Sequence, residues 1–167
     1  MEHAAELKVH SYLSDVRTGK ASMSDETIRG IVQHVEEAVH KQFQSTRTKN
    51  FRLRASNIGK AECQLWFQKN KPEAAVPPAS HFLLRMMIGD ITEAVFKGVL
   101  KEAGVSFREP EKVKTEIGGE TISGEYDLIL DDKVDDIKSA SPWSYRNKWL
   151  DGKHVEENDS FGYVGQL

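Results

Sequence analysis

The chain has 167 residues, 29% of them charged and 38% hydrophobic, with a formal net charge of −3. That length suits one ordinary domain of roughly 100–200 residues, and the balance excludes a disordered acidic tail, a collagen-like repeat and a globally basic histone-like binder. No apolar run approaches the ~18–20 residues of a membrane span, Met1-Glu2-His3 lacks a secretory leader's layout, and the single Cys63 excludes an internal disulfide, so a membrane-free, cytoplasmic protein is expected.

The first element expected is a weakly amphipathic helix over 4–16. A stronger one covers 24–43, where Ile28, Ile31, Val32, Val35, Val39 and Phe43 recur at helical spacing. Ser24 suits its N-cap, and Asp25 and Glu26 suit the positive end of the helix. Residues 45–50 are polar and basic, a loop. A short helix follows over 62–67, ended before Pro72, and Val76-Pro77-Pro78 is a connector.

Residues 81–103 form the central helix, with Leu84, Ile88, Ile91, Val95 and Val99 on one stripe and Gly104 at the C-cap. The period then changes to two. Strands are expected over 105–107, 112–117, 121–130 and 134–139, separated by turns at Gly118-Gly119 and Asp131-Asp132. Ser141-Pro142 starts another helix through 143–150, with Pro at the favoured first position. Phe161 to Leu167 begins an apolar helical pattern without a cap, so the element is expected to continue past the end of the chain. The order is α/β, a mixed sheet flanked by helices: an N-terminal helical region over 1–50 and a core over 51–167.

Charge is segregated. From Lys41 to Lys60 there are six basic residues and no acid, whereas Glu116 to Asp136 holds eight acids and one Lys133. Phosphate grip and cation binding need these opposite signs, although solvated faces account for the same runs. Two common sites are absent. Gly59-Lys60 and Gly19-Lys20 lack the earlier Gly and the following Ser/Thr of a P-loop, and the six histidines show no His-Glu-x-x-His pattern.

The Asp131-Asp132 turn carries more. It places Leu130 opposite Lys133, Asp127 opposite Asp136 and Glu125 opposite Lys138, with the last four on one face. Like charges directly opposed across a ladder are destabilising. A divalent cation between Asp127 and Asp136 removes that cost, and hard carboxylate oxygens suit Mg²⁺. A solvated acidic hairpin is the plainer alternative. On the central helix Glu93 shares a partly apolar side with Gly89, Phe96 and Leu100, where a carboxylate needs a cation or a partner.

Gly124-Glu125-Tyr126-Asp127 followed by Asp136-Ile137-Lys138 resembles the PD-(D/E)XK nuclease signature. Gly89-x-x-x-Glu93 matches its upstream helical acid. Tyr163-x-x-Gln166 looks like the helical glutamine motif of the RecB-type branch, and Arg54 to Gly59 with Cys63 to Trp66 is similar to the opening segment of phage-encoded exonucleases and CRISPR-associated adaptation nucleases. The likeness spans roughly 51–167. Many relatives of that branch carry His where this chain has Glu93, and the cysteines that would complete an iron–sulfur site have no counterpart here. No cluster is therefore expected, and Cys63 reads as a buried thiol.

The resemblance implies a restriction-endonuclease-like fold and Mg²⁺- or Mn²⁺-dependent hydrolysis of DNA, as an exonuclease on linear ends. Asp127, Asp136, Glu93 and the Ile137 carbonyl would hold the metal, Lys138 would position the attacking water, and Gln166 would steady Lys138 or the phosphate. Arg52, Arg54, Ser56, Lys60, Arg85 and Tyr163 would contact the DNA backbone without reading sequence. Trp143, Tyr145 and Trp149 fit core packing, with stacking on unpaired bases as the alternative. Two other classes remain open: a nuclease-like module that binds DNA without cutting, and an interaction protein that docks a partner on the apolar face of 28–43. The oligomeric state is not legible from sequence.

Overall fold

A computed structural model describes residues 3–44, 51–76 and 79–149, the side chains of 148 and 149 excepted. Within them are six α-helices: α1 Ala4–Arg17, α2 Asp25–Phe43, α3 Ala55–Ile58, α4 Glu62–Asn70, α5 Ser80–Glu102 and α6 Pro142–Ser144. Five strands accompany them: β1 Leu53–Arg54, β2 Lys112–Ile117, β3 Glu120–Glu125, β4 Leu128–Leu130 and β5 Lys133–Asp135. A 3₁₀ turn follows α4 over Pro72–Ala74, and a π turn follows α6 over Tyr145–Trp149. The architecture is α/β with two small sheets. The described residues gather into two compact units, one from 3–44, 79–108 and 137–139, the other from 51–76, 109–136 and 140–149.

The first unit is helical. Ser24 caps α2 as expected, its hydroxyl oxygen accepting the Thr27 N–H at 3.2 Å. α2 packs on α5 by only part of the apolar stripe that the sequence suggests. Thr27, Ala38 and Gln42 are buried, Ile31 and Val35 half-buried, and Ile28, Val32, Val39 and Phe43 exposed. Gly98 explains the choice. A Cβ there would lie 2.7 Å from Ile31 Cδ1 and 3.1 Å from Thr27 Cγ2, so the glycine admits the Thr27–Ile31 edge to close range. At the other end Gln42 donates to Asp90 at 2.9 Å, and Lys41 pairs with the same carboxylate at 3.4 Å. On α5 the buried residues are Ala94, Gly98 and Leu100, while Leu84, Ile88 and Val95 of the expected stripe are exposed.

Gly104 ends α5 with a φ of +66°. Its N–H and that of Val105 return to Lys101 O and Leu100 O, at 3.1 and 3.0 Å. This closure, with Val105 buried, is the αL helix stop that glycine favours. It also corrects the expected strand over 105–107: the Val105 N–H serves the helix end, not a ladder.

The second unit holds both sheets. β3 lies between β1, parallel to it, and β2, antiparallel. Gly118 and Gly119, at φ +60° and +81°, make the two-residue turn that sets Ile117 opposite Glu120, a geometry that needs positive φ at both positions. The expected single strand over 121–130 is broken. Glu125 pairs with Lys112, the first residue of β2, and Pro110 just upstream has no N–H with which to extend that ladder. The chain bends at Asp127 and enters a separate β4–β5 hairpin.

Candidate functional site: an acidic hairpin and a basic corner

The β4–β5 hairpin has the register read from the sequence. Leu130 faces Lys133, Ile129 faces Val134 and Leu128 faces Asp135. Asp131 and Asp132 form the turn with φ of +49° and +60°. Aspartate tolerates this left-handed region better than most side chains, so the acids satisfy the two-residue turn without glycine. Leu128, at 2% exposure, anchors the hairpin. Asp127, half-buried, and Asp136, exposed, each stand one residue beyond the last ladder pair. The expected opposition of Glu125 and Lys138 is not made: Glu125 belongs to the β2–β3 ladder, and β5 ends at Asp135 instead of running to 139. Lys138 follows it in irregular, exposed chain.

The basic residues group at the β1–α3 corner of the same unit. The Arg54 N–H donates to Asn57 Oδ1 at 2.8 Å, and the Asn57 amide donates to Arg52 O at 2.9 Å. Asn57 thereby fixes the backbone from which Arg52, Arg54, Ser56 and Lys60 extend, all four exposed. The corner is docked on β3. Leu53 and Arg54 pair with Ile122 and Ser123, and a Cβ on Gly124 would lie 3.1 Å from Ala55 Cβ. Gly124, the first residue of the Gly-Glu-Tyr-Asp motif, is thus where α3 approaches the sheet. Sequence reading missed β1 because a two-residue strand carries no periodicity.

Glu93, Arg85, Ile137 and Lys138 fall in the first unit. Glu93 sits half-buried on α5 and pairs with Lys97 one turn on at 2.5 Å, which supplies the partner its partly apolar side demands. Gln166 and Tyr163 lie outside the described residues, as does the side chain of Trp149. Cys63 is exposed, not buried. Every residue of α4 except the half-buried Leu65 is exposed. Trp143 and Tyr145 are exposed as well, Trp143 at 68%. The expected helix over 143–150 is one α-turn, capped by Ser141 Oγ accepting the Ser144 N–H at 3.1 Å, and then the π turn; so short an element leaves both rings outside a core.

Among the described residues no group of three or more His, Cys, Asp or Glu side chains is gathered as a metal cage. The hairpin ends carry a smaller set of carboxylates, Asp127 and Asp136, each one residue beyond the ladder. No helix among the described residues is long and apolar enough to cross a membrane. No family model matches the chain, and no curated protein or solved structure matches it.

Proposed function

We propose that this chain is a divalent-metal-dependent deoxyribonuclease with a restriction-endonuclease-like core, acting in the cytoplasm on linear DNA without reading its sequence. What supports the reading is the hairpin: Asp127 immediately precedes β4 and Asp136 immediately follows β5, each one residue beyond the Leu128–Asp135 pair. These two carboxylates would hold Mg²⁺ or Mn²⁺. When bound, the ion supplies polarisation of the scissile phosphate and a lowered pKa for an attacking water. Lys138, two residues after Asp136, donates its ammonium hydrogens to that water and offsets charge developing on the phosphate. Glu93, Ile137 and Gln166 enter from motif order in the sequence.

Arg52, Arg54, Ser56 and Lys60 hold the DNA backbone from the β1–α3 corner, with Arg85 and Tyr163 as further contacts. Such contacts position the strand and make binding salt-sensitive. The test is digestion of linear and circular DNA with and without Mg²⁺. The reading expects metal-dependent loss of the linear form, abolished by Asp127→Ala and by Lys138→Ala. Variants that degrade linear DNA as fast as the parent overturn it.

One observation favours a second reading, a module that grips DNA without cutting: the ladder ends before Lys138, so pairing does not fix that side chain beside the aspartates. This reading expects salt-dependent binding unaffected by EDTA and no cleavage.

A further inference from the structure

α4 presents aromatic rings where a nine-residue helix would ordinarily hide them. Trp66 and Phe67 are 53% and 57% exposed, and their rings meet edge to face with centroids 5.2 Å apart and planes at 88°. In such a pair the ring that offers its edge keeps both of its own faces off the contact. Leu65 is half-buried, but the two rings beside it have no comparable cover. Charge along this stretch of sequence is mostly positive. Between Arg52 and Lys71 stand Arg52, Arg54, Lys60, Lys69 and Lys71 against the single acid Glu62. Lys69 is engaged by Glu120 at 3.0 Å; all five cations are exposed.

Apolar burial alone does not explain this helix. A membrane-facing or protein-facing stripe continues along several turns, whereas here the open rings are confined to one turn, with Lys69 three residues after Trp66 and Lys71 four after Phe67. Flat rings beside cations suit a polyanion whose own rings are free to stack. In duplex DNA the base faces are already stacked on one another, so a duplex offers the phosphates but not the faces. Single-stranded DNA offers both, and aromatic side chains interleaved with a basic groove are how such strands are held without sequence preference.

We propose that Trp66 and Phe67 form a stacking platform for unpaired bases of single-stranded DNA, with Arg52, Arg54, Lys60 and Lys71 as its phosphate contacts. The proposal rests on the nuclease reading for its choice of DNA, and it names a strand preference for that reading: the unpaired end of a linear substrate.

The test compares three fluorescent probes of equal length in EDTA: an oligothymidylate, the same backbone with every base replaced by an abasic spacer, and a duplex. The parent chain is expected to bind the oligothymidylate at least about tenfold more tightly than the abasic strand. Trp66→Ala with Phe67→Ala is expected to remove that advantage while leaving abasic-strand affinity unchanged, which also shows that the variant is folded. Trp66→Phe with Phe67→Tyr, which keeps two rings, is expected to retain most of it. Equal binding of based and abasic strands by the parent overturns the proposal, as does an alanine variant that keeps the parent's preference. Self-association of the parent that the alanine variant abolishes, with no base-dependent binding, also overturns it and assigns the rings to a second copy of the chain. Because EDTA removes cleavage, failure here leaves the nuclease reading standing, and failure to cut DNA leaves base-dependent binding standing.

Discussion

Leu128 and Asp135 are the last paired residues of the β4–β5 ladder, so Asp127 and Asp136 are the next residue on each strand. One apolar side chain, buried to 2% exposure, therefore anchors the hairpin that presents both carboxylates. Truncating a buried leucine in a packed site costs about 2–5 kcal/mol. Leu128→Ala is expected to lower the unfolding free energy, read by urea denaturation, by an amount in that range. Leu130→Ala, nearer the exposed turn, should cost less than half as much. Equal losses at the two positions would mean that Leu128 is not the anchor.

Gly98 and Ile31 make a second coupled pair. Alanine is intrinsically better than glycine in a helix interior by up to about 1 kcal/mol, yet a Cβ at 98 would meet Ile31 Cδ1 at 2.7 Å. Gly98→Ala alone is expected to destabilise by about 1–3 kcal/mol through overpacking. With Ile31→Val, which removes Cδ1, much of that loss should disappear. A double-mutant cycle by chemical denaturation measures the coupling, expected to reach about 1 kcal/mol. Strict additivity would show that the helices separate to admit the methyl group.

Glu102 ties the end of α5 to the start of α2. Its carboxylate accepts from Ser24 Oγ at 2.6 Å and from Thr27 Oγ1. These bonds, Ser24's first and then Thr27's, hold the group below its ordinary value of 4.5. A carboxyl depressed in the folded state contributes stability that is complete above its unfolded value and is lost as pH falls through the folded one. The parent's denaturation midpoint should therefore drop below about pH 4.5, and Glu102→Gln should flatten that drop while lowering stability at neutral pH. Glu26, lowered in the same direction by its hydrogen bond and charge contact with Lys101, adds to the parent's slope and persists in the variant. A variant whose midpoint falls as steeply as the parent's would remove Glu102 from the account.

Tyr12 offers the opposite case. Its hydroxyl is buried with no hydrogen-bond partner among the described residues, and burial, then the charge of Glu102, raise its pKa above the ordinary phenol value. A buried polar group without a partner costs about 1–3 kcal/mol. Tyr12→Phe is expected to stabilise the chain by about 1 kcal/mol, read as a rise in melting temperature. A lower melting temperature would mean that the hydroxyl has a partner in solution.

The hairpins and helix ends were the most legible parts of the sequence, because each is decided by a few adjacent residues. Gly118-Gly119, Asp131-Asp132, Ser24 and Ser141 specify local backbone geometry that distant contacts do not alter. The buried edge of α2 was not legible. Its apolar stripe includes Ile31, but periodicity does not show that Gly98 admits Thr27 and Ile31 more closely than bulkier neighbours would allow, and that depends on a residue about seventy positions away. The same limit applies at Glu125. Alternation carried the strand on to Leu130, whereas Pro110, beside a different strand, ended the ladder that Glu125 had joined. Of the candidate site, the register around Asp127 and Asp136 was readable from the turn alone, while the parts of Glu93, Lys138 and Gln166 depend on contacts that periodicity does not report.

On the proposed reading Asp127 and Asp136 together hold a divalent ion, and calorimetric titration with Mn²⁺ reads that binding with no DNA present. The parent should saturate at about one ion per chain, as a two-carboxylate site completed by waters allows, and Asp127→Asn with Asp136→Asn should abolish the heat while circular dichroism shows the fold intact. A doubly substituted chain that still binds Mn²⁺ with the parent's affinity, or a parent that binds none, would contradict the account.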